Sequence, residues 1–545
     1  MVSKRSFSWK VECAKMQAMT SDVLVLGGGG AALVAAISAA EAGASVSLVS
    51  KGPPGLLSCT AYAGGGFTAA VEGLSSRRHR DLTMETGRGI NDEGLVSVMA
   101  EEGASALSWL EDRGVDLEYR RGGASMAGKN LGKLVKGTAM TMPLVRRCRE
   151  LGVQIHHPVT VYALRGKGFG GPVTGAVGRD AEGVDLEFAA NSVVLATGGG
   201  AWTFARTDNP RGLAGDGYLM AFAAGCSLRD MEFVQFYPLG PGPDVSRTWY
   251  MDARILDRVR LTDGNGEDFL SPLLEQWGLS SGREINMFAR DRLSRAIAQK
   301  RRETGDVYLH LEDLPAEDRR DPRLAHRARL MAGPHRDDPW TTVSVAPVSH
   351  FMCGGVVVDE FGATEVTGLW ACGEVAGGVH GANRVGGNAL TELTVFGIRS
   401  GRAAADAARA GDAPVPGDPA LLPRGICVEG ATVSGEVHQD RFRARAYDMI
   451  GPYRTPESMR EFIAEASRLL RPRDFAGSSP VQRALHWTGL SVGLAALARE
   501  ESRGNHFRED YPEEDDAWKG ALTVVPELQG DILLPRIREK TPREA

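Results

Sequence analysis

The stretch that most constrains the fold is "SDVLVLGGGGAALVAAISAAEAGASVSLVSKG", residues 21–52 of a 545-residue chain. Residues 23–26 form a continuous apolar run, as expected of a strand buried on both faces of a parallel sheet. Gly27-x-Gly29-x-x-Ala32 then leads into an alanine-rich segment of helical character, and 46–49 supplies a second apolar strand. A glycine fingerprint in this strand–turn–helix–strand context predicts a dinucleotide site. Gly27 permits the tight turn. Gly29 lets a pyrophosphate approach the helix N-terminus, whose amides and dipole favour an anion. Ala32 stands where a third glycine is usual. The second strand runs into Ser50 and Lys51 rather than an acidic residue, so the ribose contact typical of NAD sites is missing and FAD is the expected cofactor.

Composition agrees. Glycine makes up 68 of the 545 residues, well above the usual share of about 7%, as suits a chain with many close backbone approaches. The net charge of −6 gives no overall basic field to attract nucleic acid. No apolar run reaches the roughly 18–20 residues of a membrane span. The first 20 residues are basic but carry neither an apolar core nor a twin-arginine pair, a poor export signal, and Met19 is a plausible natural start. Seven cysteines, at 13, 59, 148, 226, 353, 372 and 427, form no Cys-x-x-Cys pair. That pattern argues against zinc, an iron–sulfur cluster or a disulfide frame, so no metal site is expected and a reducing cytoplasm is the simplest location.

Further segments repeat the nucleotide-binding theme. "SVVLATGGGAW" (192–202) is an apolar strand ending in Ala-Thr-Gly-Gly. "GDG" (215–217) places Asp216 at a helix start, where it either caps the helix or meets a ribose. "GLWACGEVAGG" (368–378) is another strand followed by glycines. Nucleotide-type segments on both sides of a long insertion imply a discontinuous domain. The expected division is a FAD-binding domain at 20–234 and 346–410, a charged, Pro- and Gly-punctuated capping (lid) domain at 235–345, a proline-rich linker at 411–435, and a C-terminal helical domain with its tail at 436–545. The fold class is therefore α/β: a Rossmann-like FAD-binding domain interrupted by an α+β capping domain and followed by helices.

"HGANRVGGNAL" (380–390) sets one guanidinium, Arg384, among glycines, asparagines and other small residues. Such a stretch serves either a structural arginine beside a helix start or a close approach to a flat cofactor with Arg384 reaching a small anion. Together with "GGGGAALVAA", "SCTAYAGGG", "ATGG", "GDG", "MEFVQFYPLG", "SHFMCGGVVVD" and "ESRGNHFREDYPEEDD", it closely resembles the flavoprotein subunit family of succinate dehydrogenase, fumarate reductase and L-aspartate oxidase. The resemblance spans about 20–520, with the motifs in family order.

The resemblance implies roles residue by residue. FAD would lie against Gly27, Gly29, Gly30, Ala31, Ala32, Ser50 and Lys51, then against Ser58, Cys59, Thr60, Gly64 and Gly65. Thr197, Gly198, Asp216, Glu374, Asn388, Ala389 and Leu390 complete that set. Arg384 and His350 would hold a substrate carboxylate, a fork of donors matching its two oxygens. Arg290, in "ARDRLSRAI", lines up with the family's proton-donating arginine. Its free pKa is far too high for an ordinary acid, so it can serve only when closure presses it against the forming carbanion.

Three departures from the family pattern stand out. Cys59 occupies the position of a flavin-linked histidine, and noncovalent FAD is expected. Tyr237 replaces a histidine that grips the far end of a dicarboxylate. "YMDARILDRVRL" stands in place of Thr-Glu-x-x-Arg-Gly-x-Gly, so Asp252 takes the glutamate position of the proton relay, Met251 cannot donate the threonine hydrogen bond, and the relay arginine is lost or moved to Arg254. The expected activity is hydride transfer between FAD N5 and the C=C/CH–CH bond of a small carboxylic acid, as in fumarate reductase or succinate dehydrogenase. The alternatives are L-aspartate oxidase-like oxidation of an amino dicarboxylate, toward which "CGGV" leans slightly while "ANRVGGNAL" resembles the reductase branch more, and a non-catalytic electron-transfer subunit. The expected partner is an iron–sulfur or other redox subunit, through which any membrane association would be peripheral.

Overall fold

The structure, a computed structural model, describes residues 17–127, 137–242, 249–333, 337–410, 416–427 and 439–539. Cys13, most of the N-terminal stretch and parts of the 411–435 segment lie outside the described residues. The strand Gln17–Leu26 is the centre of the largest sheet. It starts earlier than the apolar run indicates, and Met19 sits inside it, opposite Phe188. Val46–Val49 runs parallel on one side, with Leu26 opposite Val49, and Asp185–Leu195 runs parallel on the other, with Leu26 opposite Leu195. Leu369–Ala371 adds a further parallel strand, Ala371 opposite Leu195. The carboxyl ends of these strands therefore share one edge, where ligands bind in open α/β sheets.

The helix Gly30–Glu41 covers one face of this sheet and packs against the long helix Asn388–Arg409. Small residues permit the approach: a Cβ on Gly401 would stand 2.3 Å from the Ala35 carbonyl oxygen, and one on Gly397 2.9 Å from the Val34 side chain. This contact joins the sequence segments on either side of the insertion.

Between them, Val234–Pro241 and Thr342–Met352 run antiparallel as the stem of a four-stranded sheet completed by Val307–His310 and Leu261–Thr262. Four helices, Leu270–Trp277, Gly282–Phe288, Arg290–Thr304 and Pro322–Ala332, pack on this body, which has its own core around Leu239, Leu293, Leu309 and Val345. Tyr237 and His350 lie on the two stem strands, so strand pairing, rather than chain proximity, brings them together.

The helices Gln439–Ile450, Pro456–Leu469, Pro472–Gly477 and Pro480–Ala498 follow. Thr455 with Ser458, and Ser479 with Gln482, form reciprocal capping boxes, which satisfy amides that the helix itself leaves unpaired. The tail is not helical. Leu522–Gln529 and Ile532–Glu539 form a hairpin within a five-stranded sheet that also takes Leu228–Arg229, Gly355–Val356 and Gly425–Ile426. Among the described residues no helix is long and apolar enough to cross a membrane, and no group of three or more His, Cys, Asp or Glu is placed to hold a metal ion.

Candidate active site

A cavity of about 1110 Å³ runs from the glycine turn at Gly28–Ala31 to the stem of the inserted body. It exceeds the roughly 300–1,000 Å³ of small-molecule sites, as expected of a groove that takes a dinucleotide together with a substrate. Of the residues expected to bind cofactor, Gly29, Gly30, Ala31, Ser58, Cys59 and Thr60 line it. Gly64, Gly65, Thr197, Gly198, Glu374, Ala389 and Leu390 do so as well. Gly27, Ala32, Ser50, Lys51, Asp216 and Asn388 stand outside the wall. Gly27, at φ 138°, would drive a Cβ to 2.1 Å from the Ala196 oxygen, so it shapes the turn. Ala32 is fully buried. Ser50 lies against Gly28, whose Cβ would meet its Oγ at 2.3 Å. Asp216 makes no cap, the N-cap being Gly215; it forms an ion pair with Lys51. Asn388 donates to Thr83 Oγ1 at 2.9 Å and places its Oδ1 2.9 Å from His79 Nε2.

These residues suit FAD. The glycine cradle is one that side chains would fill, and Thr197 carries a buried hydroxyl with no hydrogen-bond partner. Ser58 caps the short helix Cys59–Tyr62, and Thr60 Oγ1 accepts from the Gly30 amide at 3.1 Å, tying that helix to the fingerprint. Cys59 Sγ donates to Asn209 Oδ1 at 2.9 Å. Burial, then the charges of Glu374 and Asp208, push the Cys59 thiol well above its ordinary range. Two carboxyls in the same wall are shifted upward. Glu374, which accepts from the Met352 amide at 3.0 Å, is pushed up to about 7, chiefly by burial. Glu392 is pushed up to about 8 by burial and by Glu374.

Arg384, Arg290, His350, Tyr237 and Asp252 all line the far part of the cavity. Arg384 is 6% exposed. Its guanidinium lies 4.4 Å over the Phe351 ring, and one terminal nitrogen donates to Gln235 Oε1 at 2.9 Å. Its Nε is buried without a partner. Burial, and then the neighbouring Arg290, push Arg384 down to about 10, so it stays charged at neutral pH. Arg290 begins the helix Arg290–Thr304 and is buried, not solvated. Its Nε donates to the Asn286 carbonyl at 2.7 Å, and its guanidinium lies 5.1 Å over the Tyr237 ring.

The remaining groups have defined partners. His350 Nδ1 stands 2.7 Å from Asp208 Oδ2. Burial holds the imidazole below its ordinary pKa despite Asp208, with Arg384 and Arg290 adding to the depression. The Tyr237 hydroxyl donates to Asn286 Oδ1 at 2.7 Å and accepts from the Ala253 amide at 3.1 Å. Asp252 spends both oxygens on Arg254: Oδ1 accepts from its amide and Nε, and Oδ2 from a terminal nitrogen at 2.8 Å. Burial alone would raise the Asp252 carboxyl, but these bonds bring it below its ordinary value. Met251 is buried in the core of the inserted body.

Sequence reasoning missed Asp208, Gln235, Asn286, Trp249, Tyr250 and Glu392. Gln235 and Tyr250 fall within motifs that the sequence singles out, though neither is marked there as a site residue. The others carry no local signal and meet the site through long-range packing.

A glycine-turn groove that ends between two buried arginines defines a flavin-dependent oxidoreductase. Residues 22–390 match the family described as FAD binding domain, and 483–532 that described as fumarate reductase flavoprotein C-term. The chain is 30% identical to one of the subunits of fumarate reductase (CoM/CoB) from Methanothermobacter marburgensis, over 94% of this chain and 98% of that protein. It is 31% identical to L-aspartate oxidase of Streptomyces coelicolor, over 93% and 92%. A quinol fumarate reductase of E. coli superposes with a TM-score of 0.77 at 27% identity, covering 96% of this chain and 97% of that one. The chain belongs to the succinate dehydrogenase/fumarate reductase flavoprotein family, which includes L-aspartate oxidase, and its cofactor is FAD.

Proposed function

We propose that this chain interconverts the C=C and CH–CH forms of a small carboxylic acid, with Arg384 anchoring the carboxylate and Arg290 handling the proton. When bound, FAD supplies the two-electron chemistry, exchanging a hydride at N5. The observation that carries the reading is the buried guanidinium of Arg384, which among the described residues makes no ion pair with a carboxylate and shares a cavity wall with Arg290. A buried guanidinium without a counter-charge is costly unless an anion completes it. A carboxylate there would be polarised, which stabilises the charge that builds on the neighbouring carbon in the transition state.

In the reductive direction the acid gains a hydride on one carbon and a proton on the next. Arg290, held by Asn286 and the Tyr237 face, gives that proton. Asp252, fixed by Arg254 on the same cavity wall, is assigned to its resupply. The inserted body carries Arg290, Tyr237 and Asp252, so its closure on the FAD-binding domain excludes water and sets the reacting geometry. FAD is held noncovalently: the attacking form of a cysteine is the thiolate, and Cys59 is kept protonated. An iron–sulfur or other redox partner passes electrons to or from the flavin, with the assembly in the cytoplasm or peripheral to the inner membrane.

The test is anaerobic. The flavin of the purified protein is reduced, and a panel of unsaturated acids is screened for return of the oxidised absorbance spectrum. Failure of every acid removes the proposal. The similarity to L-aspartate oxidases supports a second reading, oxidation of an amino dicarboxylate. Peroxide release with aspartate under air would favour it over the first.

A further inference from the structure

Five rings line the cavity in sequence from the carboxylate end outward. His350 stands 5.6 Å from Tyr237 and 5.5 Å from Tyr250, both edge-on. Tyr237 and Tyr250 lie 4.1 Å apart with planes tilted by 36°. Trp249 follows 6.4 Å from Tyr250, its plane nearly parallel at 10°, and meets Tyr62 edge-on at 6.4 Å. All five belong to the wall that also carries Arg384.

Around Tyr237 and Asp252 the polar capacity of this wall is spent. The Tyr237 hydroxyl donates its hydrogen bond to Asn286 Oδ1 and accepts one from the Ala253 amide, so it has no donor left for a second carboxylate. Asp252 and Arg254 satisfy each other, and the negative charge of Asp252 would repel an acid. Arg290 lies 5.1 Å over the Tyr237 ring and Arg327 5.8 Å over that of Tyr250; the other faces and edges of the five rings attract another ring through burial and offset or edge-on contact.

Resting on the carboxylate reading above, we infer that the substrate is a monocarboxylic acid whose C=C or CH–CH unit bears an aromatic ring on the β-carbon, the carboxylate held at Arg384 and the ring against Tyr250 and Trp249. The dicarboxylate alternative needs a further cation at the far end, and the cavity wall offers Arg120, Arg121 and Arg283, beside Arg78 and Arg254, which are paired with Glu85 and Asp252.

The experiment uses the FAD-loaded protein, reduced without air and mixed with (E)-3-phenylacrylate, (E)-3-(4-hydroxyphenyl)acrylate, crotonate or fumarate. The expected result is a kcat/KM for at least one arylacrylate ten times or more that for fumarate. Trp249→Ala should then lower the arylacrylate-to-crotonate ratio of kcat/KM at least fivefold, while Trp249→Phe keeps most of it. Reoxidation by fumarate or crotonate in preference to both arylacrylates overturns this inference and leaves the carboxylate reading standing. An equal effect of Trp249→Ala on both acids also overturns it. Reoxidation by no acid at all overturns both. The wild-type panel decides the question even where a variant fails to fold.

Discussion

His350 Nδ1 and Asp208 Oδ2 lie 2.7 Å apart, joining two segments 142 residues apart in the chain. A carboxylate only accepts, so the proton sits on Nδ1 and the neutral ring turns an acceptor, Nε2, away from Asp208. Such a ring cannot donate to a substrate carboxylate until it takes a second proton.

That geometry predicts proton uptake on binding. The free imidazole has a pKa below 6.5, and an acid bound beside it raises that value. A group whose pKa rises on binding gains protons, so affinity falls as pH climbs from the free value to the bound one. The loss should approach tenfold per pH unit inside that window. Calorimetry of a non-reacting carboxylate in buffers of different ionisation enthalpy should show uptake near pH 7. Asp208→Asn, with no charge to support the imidazolium, should shrink both the uptake and the pH dependence.

Arg384 carries the anchoring role, and Arg384→Met tests it. Losing one partner of a buried charged contact costs about 3 kcal/mol, so kcat/KM should fall a hundredfold or more. Bound FAD, measured by absorbance after gel filtration, should stay near one per chain, since the glycine cradle is untouched. Retained activity would detach the guanidinium from catalysis.

Arg290 has a different signature. Removing a general acid lowers the chemical step by about 10²–10⁴-fold. Arg290→Gln should therefore reduce kcat by that order while KM moves less than it does in Arg384→Met. Stopped-flow reoxidation of the reduced flavin under single turnover reads the step directly.

The two arginines also show how far the sequence could be read. The fingerprint at Gly27–Ala32 is local chemistry, and its strand, turn and helix could be placed from spacing alone. Arg290 and His350 were found through motif resemblance alone; the small-residue stretch around Arg384 left a structural and an anion-binding reading open, and the resemblance decided between them. Asp208, Asn286, Trp249 and Tyr250 were not found, because long-range contacts bring them to the cavity: Asp208 through the bridge from Thr207 to Ser349 and its bond to His350, Asn286 through Tyr237, and Tyr250 and Trp249 through ring contacts that start from Tyr237. The C-terminal hairpin was missed for another reason. Pro526 and Pro535 face each other across it, and proline inside a strand run argues against a strand unless the position is an edge or lacks a ladder bond. Its turn at Gly530, φ 61°, is legible only once the strands are known.

Glu392 gives the last prediction. Its carboxyl sits in the cavity wall, 4% exposed, on the helix that also carries Leu390. Burial, reinforced by Glu374, pushes it up to about 8, far above the 4.5 of a solvated glutamate. Between those values the folded chain holds a proton that the unfolded chain has released. Stability therefore falls as pH rises through the window, by up to about 1.4 kcal/mol per unit for one such group. Glutamine keeps the shape without the charge. Glu392→Gln in the FAD-loaded protein should be more stable than the parent at pH 8, nearly equal at pH 5, and should flatten the decline between them. Urea midpoints across that range measure the slope. A variant curve parallel to that of the parent would mean that Glu392 is already ionised in the folded protein at neutral pH, paired with a cation that the packing brings close.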